Sequence, residues 1–297
     1  MWLSLSLRWG ALPSNVRGSL WILLGSLIGA VMGGLIKFVG QRIPVFEILL
    51  IRQLCVVAIL SPILLRNHSI VFKTSHLHLH VMRGMFGAIA MAAGFTALVH
   101  MPLAEATAIS FAKTLFTTLL AIIFLRETVG IRRWSVTIVG FIGVLVIIRP
   151  GTEAINAYAF LALTSSMFVA AIMILLRKLS QIDPAVTIMA YQSCFVTVIM
   201  VGPALYFWVT PTWPEIAVIM LIGGIMSIMQ WVHIQGMKVA EAAAVAPVEY
   251  ARLFFATLIG IIFFSEVPTI WTLTGSGIIV GCTFYTIQRN AIRKKQS

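Results

Sequence analysis

Three basic side chains and one carboxylate lie deep inside long apolar segments, where the chemistry open to them is the binding of a charged group. Lys113 and Arg252 each lie about half-way through an apolar run, Arg52 lies within another, and Glu249 precedes Arg252 by three residues. Residues at i and i+3 share one face of a helix, so Glu249 and Arg252 can form an intrahelical ion pair. One interpretation is that the two charges neutralise each other and that the pair has only a structural role. The excess of cations favours a second reading, because buried charges require a counter-charge and a ligand carboxylate or phosphate would supply it.

Weaker polar signals accompany these charges. Gln192 lies 140 residues after the first of the three cations, and Gln230 lies close to His233 in another apolar run. Each glutamine can equally satisfy a hydrogen bond between helices, and His233 is a weaker ligand candidate because it lies towards one end of its run. Tyr191 and Tyr250 are candidate aromatic walls. The predicted substrate-binding residues are therefore Arg52, Lys113, Tyr191, Gln192, Gln230, Glu249, Tyr250 and Arg252.

The elements that position these residues follow from composition. Of the 297 residues, 60% are hydrophobic and 10% are charged, and the mean hydropathy is +1.02, whereas soluble domains carry roughly 25% charged residues. A hydrocarbon core about 30 Å thick requires about 20 apolar residues per helix. The sequence therefore predicts an all-α integral membrane protein with ten transmembrane helices. The predicted spans are 19–39, 46–65, 81–100, 104–124, 134–149, 157–176, 185–207, 215–236, 242–264 and 271–288.

Most of the 21 Lys and Arg residues lie in the short connections between these spans. Membrane topology therefore accounts for the net charge of +12, and no nucleic-acid partner is predicted. Placing the N-terminus in the cytoplasm puts most of these basic residues on the cytoplasmic side, so both termini are predicted to be cytoplasmic. The compact chain with minimal tails is typical of a bacterial inner-membrane protein.

Two stretches that lie about half the chain length apart resemble each other in sequence. "LAEATAISFAKTLFTTLLAIIFLRE" (103–127) and "VAEAAAVAPVEYARLFFATLIGIIFFSE" (239–266) both open with Ala-Glu-Ala, carry one cation near mid-span and end in Glu. Lys113 and Arg252 are 139 residues apart. Five helices per copy would reverse the orientation of the second copy, which predicts two inverted repeats, 19–150 and 151–288, between a cytoplasmic tail, 1–18, and a basic cytoplasmic tail, 289–297. Chance likeness between small-residue-rich helices is the alternative.

In these residues the chain resembles the EamA group of the drug/metabolite transporter superfamily. The resemblance is carried by "PLAEATAISF" (102–111), by "LRETVGIRRWSVTIVGFIGVLVIIRPG" (125–151) and by a weaker second copy ending "FFSEVPTIWTLTGSGIIVGC" (263–282). It covers nearly the whole chain and implies a scaffold role for spans five and ten, with the other helices forming a cavity. Span four departs from the family pattern, because this chain has Thr114 where members often have Pro. That difference argues against the helix break typical of this span.

The function predicted from these features is secondary active transport by alternating access. The substrate class is a small anionic or zwitterionic metabolite, such as an amino acid, an amino-acid derivative like S-adenosylmethionine, or an organic anion. A flippase for a lipid-linked carrier or headgroup is the alternative, whereas an intramembrane enzyme would need a paired nucleophile and base that the sequence lacks. The expected partners are the metabolite, the lipid bilayer and protons as a candidate coupling ion, with a monomer or homodimer as the assembly.

No metal site or cofactor is predicted. The stretch "HLHLH" (76–80) invites a metal interpretation, but only His76 and His80 share a helix face and no Cys or acidic residue is close in sequence. Phosphate-binding and hydrolase motifs are also missing from the sequence.

Overall fold

The computed structural model describes residues 14–66, 73–125, 131–149, 157–239 and 246–281. The regular elements within these ranges are helices, and a short 3-10 helix, Ala246–Tyr250, leads directly into α10. The α-helices are α1 (Ser14–Gly40), α2 (Val45–Arg66), α3 (Leu77–His100), α4 (Leu103–Ser110), α5 (Ala112–Leu125), α6 (Ile131–Ile148), α7 (Ala157–Leu179), α8 (Ala185–Tyr206), α9 (Trp213–Val239), α10 (Ala251–Phe264) and α11 (Ile270–Gly281).

Five helices in the described ranges are long and apolar enough to cross a membrane. The segments that qualify are Val16–Gly40, Leu77–His100, Ala157–Leu176, Val186–Tyr206 and Trp213–His233. Large apolar side chains such as Phe38, Val198 and Phe263 are exposed on the outside of the bundle. Such a surface suits lipid rather than water, because a soluble monomer rarely exposes apolar patches of this extent. The count of ten spans and the inverted relation of the halves remain predictions, and the tail 289–297 lies outside the described residues.

Span four is interrupted at Phe111 in the structure, although this chain has Thr114 where family members often have Pro. α4 ends at Ser110 and α5 begins at Ala112. The break needs no proline because side chains satisfy the carbonyls around it. The Thr114 hydroxyl donates to the Phe111 carbonyl at 2.8 Å, and the Ser110 hydroxyl donates to the Thr107 carbonyl at 2.6 Å. Serine and threonine hydroxyls can take over backbone partners in this way.

Two apolar clusters hold the bundle together. The first joins α4 to α7 and includes Ile109, Phe111 and Val144, and the second joins α1 and α2 to α8 and α9 and includes Leu49 and Ile222. α3 contributes side chains to both clusters, so it lies between the two groups of helices. The space beside α3 is therefore where the two groups can enclose a cavity.

Glycines bring α1 close to the helices that carry the predicted site residues. A Cβ atom at Gly25 would lie 2.8 Å from the His233 ring on α9, and one at Gly29 would lie 3.4 Å from Nε of Arg252 on α10. Small residues permit this kind of close approach between membrane helices. α1 therefore packs against α9 and α10 at the depth of the predicted charges.

Candidate functional site

A cavity of about 230 Å³ lies between α1, α3, α4 and α7, and Arg252 of α10 reaches its wall. Its lining is mainly apolar, with Phe95 and Met91 as large side chains and three hydroxyl groups as further polar contributions. Ligand pockets typically combine an apolar wall with a few convergent polar groups. The hydroxyl groups belong to Thr107, Ser110 and Ser165.

Arg252 shares its surroundings with two of the other predicted residues. The charges of Lys113 and Glu249 are both close enough to Arg252 to act on it electrostatically. Nε of Arg252 is buried and has no hydrogen-bond partner among the described residues. A buried donor without a partner is costly, so this guanidinium is able to donate a further hydrogen bond to a ligand. Lys113, Glu249 and Arg252 thus form one charged group, named here the central cluster.

Glu249 does not pair with Arg252 in the way that their spacing predicts. The 3-10 helix places Glu249 before the first turn of α10, and in the described part of the chain its carboxylate makes its close charged contact with His233 of α9, with Oε1 3.6 Å from Nε2. The predicted intrahelical ion pair is therefore wrong as a direct contact. A 3-10 helix rotates successive side chains by a larger angle than an α-helix does, which turns Glu249 towards α9.

The structure brings His233, a weaker ligand candidate from the sequence, to the central cluster. Its position towards one end of α9 argued against a ligand role, but the close packing at Gly25 and the 3-10 helix bring it to Glu249. The hydroxyl of Ser26 on α1 also donates to the Glu249 carbonyl at 3.4 Å. No pattern along the sequence links α1, α9 and α10, so only the fold reveals this contact.

Arg52 lies behind the cavity wall. It is 1% exposed, and its guanidinium donates to the sulfur of Met226 at 2.7 Å, to the sulfur of Met91 at 3.2 Å and to the Gln53 side chain at 3.2 Å. It also lies 5.4 Å from the centroid of the Phe95 ring, a cation–π geometry. Met91 and Phe95 line the cavity, so these two side chains separate Arg52 from Arg252.

The remaining predicted residues fall in different places. Tyr250 contacts Phe111, at the break in span four, with ring centroids 4.8 Å apart. Gln192 lies against Gly87 of the cavity wall, where a Cβ atom would overlap its amide nitrogen. Tyr191 lies outside the central cluster and packs against His80, with tilted rings whose centroids are 4.6 Å apart. The side chain of Gln230 lies outside the described residues.

A second polar group connects helix ends close to Tyr191. His80 Nε2 lies 2.9 Å from the Asp183 carboxylate in the loop between α7 and α8, and the Thr74 hydroxyl donates to the same oxygen at 2.9 Å. Burial alone would raise the pKa of Asp183, but the hydrogen bonds from His80 and Thr74 outweigh it and lower this pKa below its ordinary value. His80 of the "HLHLH" stretch is therefore part of a His–Asp contact between α3 and the α7–α8 loop.

Comparison with known proteins identifies the architecture around this cavity. The model of the EamA-like transporter family matches the chain twice, over residues 16–149 and 156–288. The chain belongs to the EamA-like transporter family. As a member of this family of membrane proteins it is a transporter and not an enzyme.

Relatives of this EamA-like transporter carry small metabolites. It is 28% identical to an S-adenosylmethionine uptake transporter of Rickettsia felis over 287 residues, which cover 96% of this chain and 98% of the relative. It is 27% identical to a riboflavin transporter of Brucella anthropi, with 77% of this chain and 83% of the relative covered. It is also 27% identical to the pseudopaline exporter CntI of Pseudomonas aeruginosa, with 89% and 93% covered. The relatives include both uptake transporters and an exporter, so the family alone does not fix a direction.

A solved structure supports the fold. A crystal structure superposes on 93% of this chain and 99% of its own chain with a TM-score of 0.63, at 16% sequence identity. At this identity the likeness concerns the fold alone.

Proposed function

We propose that this chain is a secondary transporter that moves a small zwitterionic or anionic metabolite across the cytoplasmic membrane by alternating access. The observation that carries the proposal is the position of Arg252. Its side chain reaches the wall of an otherwise mainly apolar cavity, and the charges of Lys113 and Glu249 act on it there. Charged side chains at membrane depth are costly and usually mark a substrate or ion pathway.

The central cluster has the chemistry to recognise an amino-acid group. Arg252 and Lys113 offer donors and positive charge to a carboxylate, and Glu249 offers an acceptor and negative charge to an amine. One carboxylate between two cations leaves an excess of positive charge, which the substrate carboxylate would balance. A zwitterion satisfies both signs at once, whereas a substrate with an anionic group alone would leave Glu249 with His233.

The apolar part of the cavity suits the rest of such a substrate. Phe95, Met91 and Leu98 provide an apolar and aromatic wall, and the hydroxyl groups of Thr107 and Ser110 can hydrogen-bond a polar substituent. Among the substrates named for the relatives, S-adenosylmethionine combines an α-amino-acid group with a flat heterocycle and a sulfonium cation. Its amino-acid group is the zwitterionic part that the central cluster would bind, whereas the sulfonium adds a positive charge that the cluster does not balance. Because of its amino-acid group, S-adenosylmethionine is the first probe to test.

Transport by reconstituted protein tests this function. Full-length protein in proteoliposomes is assayed for uptake of radiolabelled S-adenosylmethionine, riboflavin and selected amino acids, and Arg252→Gln is compared with Arg252→Lys. We expect Arg252→Gln to reduce uptake of the transported probe at least about tenfold, because a hydrogen bond to a charged group contributes about 1.5–3 kcal/mol. Arg252→Lys should retain part of the activity because the charge remains.

The matched control is Arg149→Gln, because Arg149 follows α6, away from the cavity lining, and contacts Thr269 at 3.5 Å. Unchanged uptake in Arg252→Gln, with a correctly folded protein, would refute the central cluster as the binding site. Entry of the probe into the vesicle lumen distinguishes a solute transporter from a flippase, which would move only membrane-embedded substrates between leaflets.

A further inference from the structure

The hydrogen bond that His233 makes with its own helix fixes which of its nitrogens carries a proton in the neutral ring. Nδ1 of the ring lies 3.1 Å from the backbone carbonyl of Met229, one helical turn earlier. A carbonyl oxygen only accepts hydrogen bonds, so Nδ1 must be the donor in this contact. In a neutral ring the other nitrogen, Nε2, would then carry a lone pair and no proton.

That second nitrogen faces a carboxylate. Nε2 lies 3.6 Å from Oε1 of Glu249, and a lone pair directed at a carboxylate is repulsive. A proton on Nε2 turns this repulsion into an attraction between opposite charges. Lys113 and Arg252 are the described charged groups that also act on Glu249, and their positive charge favours its ionised form. The charge of Lys113 also opposes an imidazolium at His233, but the Glu249 carboxylate faces Nε2 directly, so the proton belongs on His233.

We infer that His233 and Glu249 form a proton-binding site beside the cavity, in which His233 is an imidazolium held by the Glu249 carboxylate. The side chains of His233 and Glu249 are 33% and 41% exposed. Protons can therefore reach the site and leave it. Ser26 and Gly25 of α1 pack beside it without adding a charge. The ligand of this site is a proton, and Met229 on the same helix provides the carbonyl that sets its geometry.

The site would couple protonation to the binding of a substrate amine, and this consequence rests on the proposed function. An amine that contacts Glu249 competes with the imidazolium for the same carboxylate. Once the amine neutralises Glu249, Nε2 loses its counter-charge while the charge of Lys113 still opposes the imidazolium, and the proton is released. Substrate binding and proton release would then be linked, so that each weakens the other by the same factor.

Nuclear magnetic resonance of the histidine rings tests the proton site without any substrate. Full-length protein with labelled histidine is reconstituted in lipid, and the His233 signal, one of six histidines, is assigned by its loss in His233→Gln. At about pH 7.5, above the ordinary pKa of histidine, we expect His233 to show an imidazolium signal that is lost in Glu249→Gln. A neutral His233 in the wild-type protein, or an imidazolium that persists unchanged in Glu249→Gln, would overturn the proton site.

His100→Gln is the matched control, because Nδ1 of His100 makes the same contact with the carbonyl one turn earlier, at 2.9 Å. His100 stacks on Tyr158 instead of facing a carboxylate. The substitution should leave the His233 signal unchanged, which shows that loss of a ring–carbonyl hydrogen bond elsewhere does not mimic the effect.

A proton-release assay tests the coupling separately. S-adenosylmethionine is added to weakly buffered wild-type protein, His233→Gln and Glu249→Gln, and the medium is followed with a pH dye. We expect proton release by the wild-type protein and its loss in both variants. Binding of the probe by the wild-type protein without proton release would overturn the coupling. Failure of the probe to bind at all would count against the proposed function for this substrate, whereas the resonance experiment would still decide the proton site.

Discussion

Lys37 at the end of α1 forms an ion pair with Glu266, which lies just beyond the end of α10. The ammonium group of Lys37 also donates to the Met101 carbonyl at 2.6 Å, and the backbone N–H of Leu103 donates to Glu266 at 2.8 Å. Lys37 is 6% exposed. One ion pair therefore connects α1, the α3–α4 junction and the segment after α10, on the same end of the bundle.

The Lys37–Glu266 pair is expected to contribute strongly to stability. Lys37→Met leaves the Glu266 carboxylate without its counter-charge, and losing one partner of a buried pair costs about 3 kcal/mol or more. We expect a clear fall in the thermal unfolding temperature of the purified protein. The double variant Lys37→Met/Glu266→Gln should recover much of it, because the amide oxygen of Gln can still accept from Leu103.

Arg42→Met is the control, because Arg42 pairs with Glu215 on the same end of the bundle but is exposed. Exposed pairs contribute little, so its unfolding temperature should change less. Losses from Lys37→Met and Glu266→Gln that simply add in the double variant would show that the two side chains do not stabilise each other.

Lys113 is expected to contribute to substrate affinity rather than to stability. Lys113→Met removes one of the two cations of the central cluster, so binding of a carboxylate-bearing probe should weaken by about tenfold, which corresponds to about 1.4 kcal/mol. Binding of S-adenosylmethionine by purified protein, followed by thermal shift or calorimetry, measures the change. Lys178→Met, at an exposed position near the end of α7, should leave the affinity unchanged. Equal affinity of the wild-type protein and Lys113→Met would remove Lys113 from the site.

The long elements of this fold were predictable because hydropathy alone determines them. The predicted span 19–39 lies within Ser14–Gly40, and the predicted span 157–176 lies within Ala157–Leu179. Where a local hydrogen bond determines the backbone conformation, the hydropathy of the segment does not predict it. The hydroxyl of Thr114 permits the break at Phe111, and a pattern that looks for proline cannot detect it.

The central cluster was predictable only in part, for a related reason. The cost of a buried charge singles out Lys113, Glu249 and Arg252 from the sequence, and the structure places these three together. The free-energy cost of burying a charge does not predict which side chain contacts it. Arg52 meets two methionine sulfurs and an aromatic ring, and Glu249 meets His233, because helices distant in sequence pack there.

The His80–Asp183 contact is expected to make stability depend on pH in the acidic range. The pKa of Asp183 is lowered in the folded protein, so its carboxylate contributes stability above the ordinary pKa of Asp, about 3.9. This contribution is lost as the pH falls through the lowered pKa of the folded state. We expect Asp183→Asn to lower the unfolding temperature at neutral pH and to reduce its fall on acidification.

Thermal unfolding between about pH 2 and pH 7 measures this dependence, since the range runs from above the ordinary pKa of Asp to well below it, where the contribution is lost. His80→Gln should reproduce part of the effect, because it removes one hydrogen bond and leaves that of Thr74. His78→Gln is the control, since His78 is exposed on the same turn of α3. An acid dependence that is identical in the wild-type protein and Asp183→Asn would show that other carboxylates determine it.

Arg52 is expected to influence transport less than Arg252, although both are buried cations of the same type. Met91 and Phe95 separate its guanidinium from the cavity, so Arg52→Met should weaken binding of the probe by a smaller factor than Arg252→Met does. Burying a charge without a counter-charge is costly, and no carboxylate among the described residues pairs with Arg52, so an apolar side chain at this position removes that cost. The unfolding temperature of Arg52→Met should therefore equal or exceed that of the wild-type protein. Parallel measurement of affinity and unfolding temperature for both variants checks the two expectations, and a larger loss of affinity in Arg52→Met than in Arg252→Met would place the principal anion contact at Arg52.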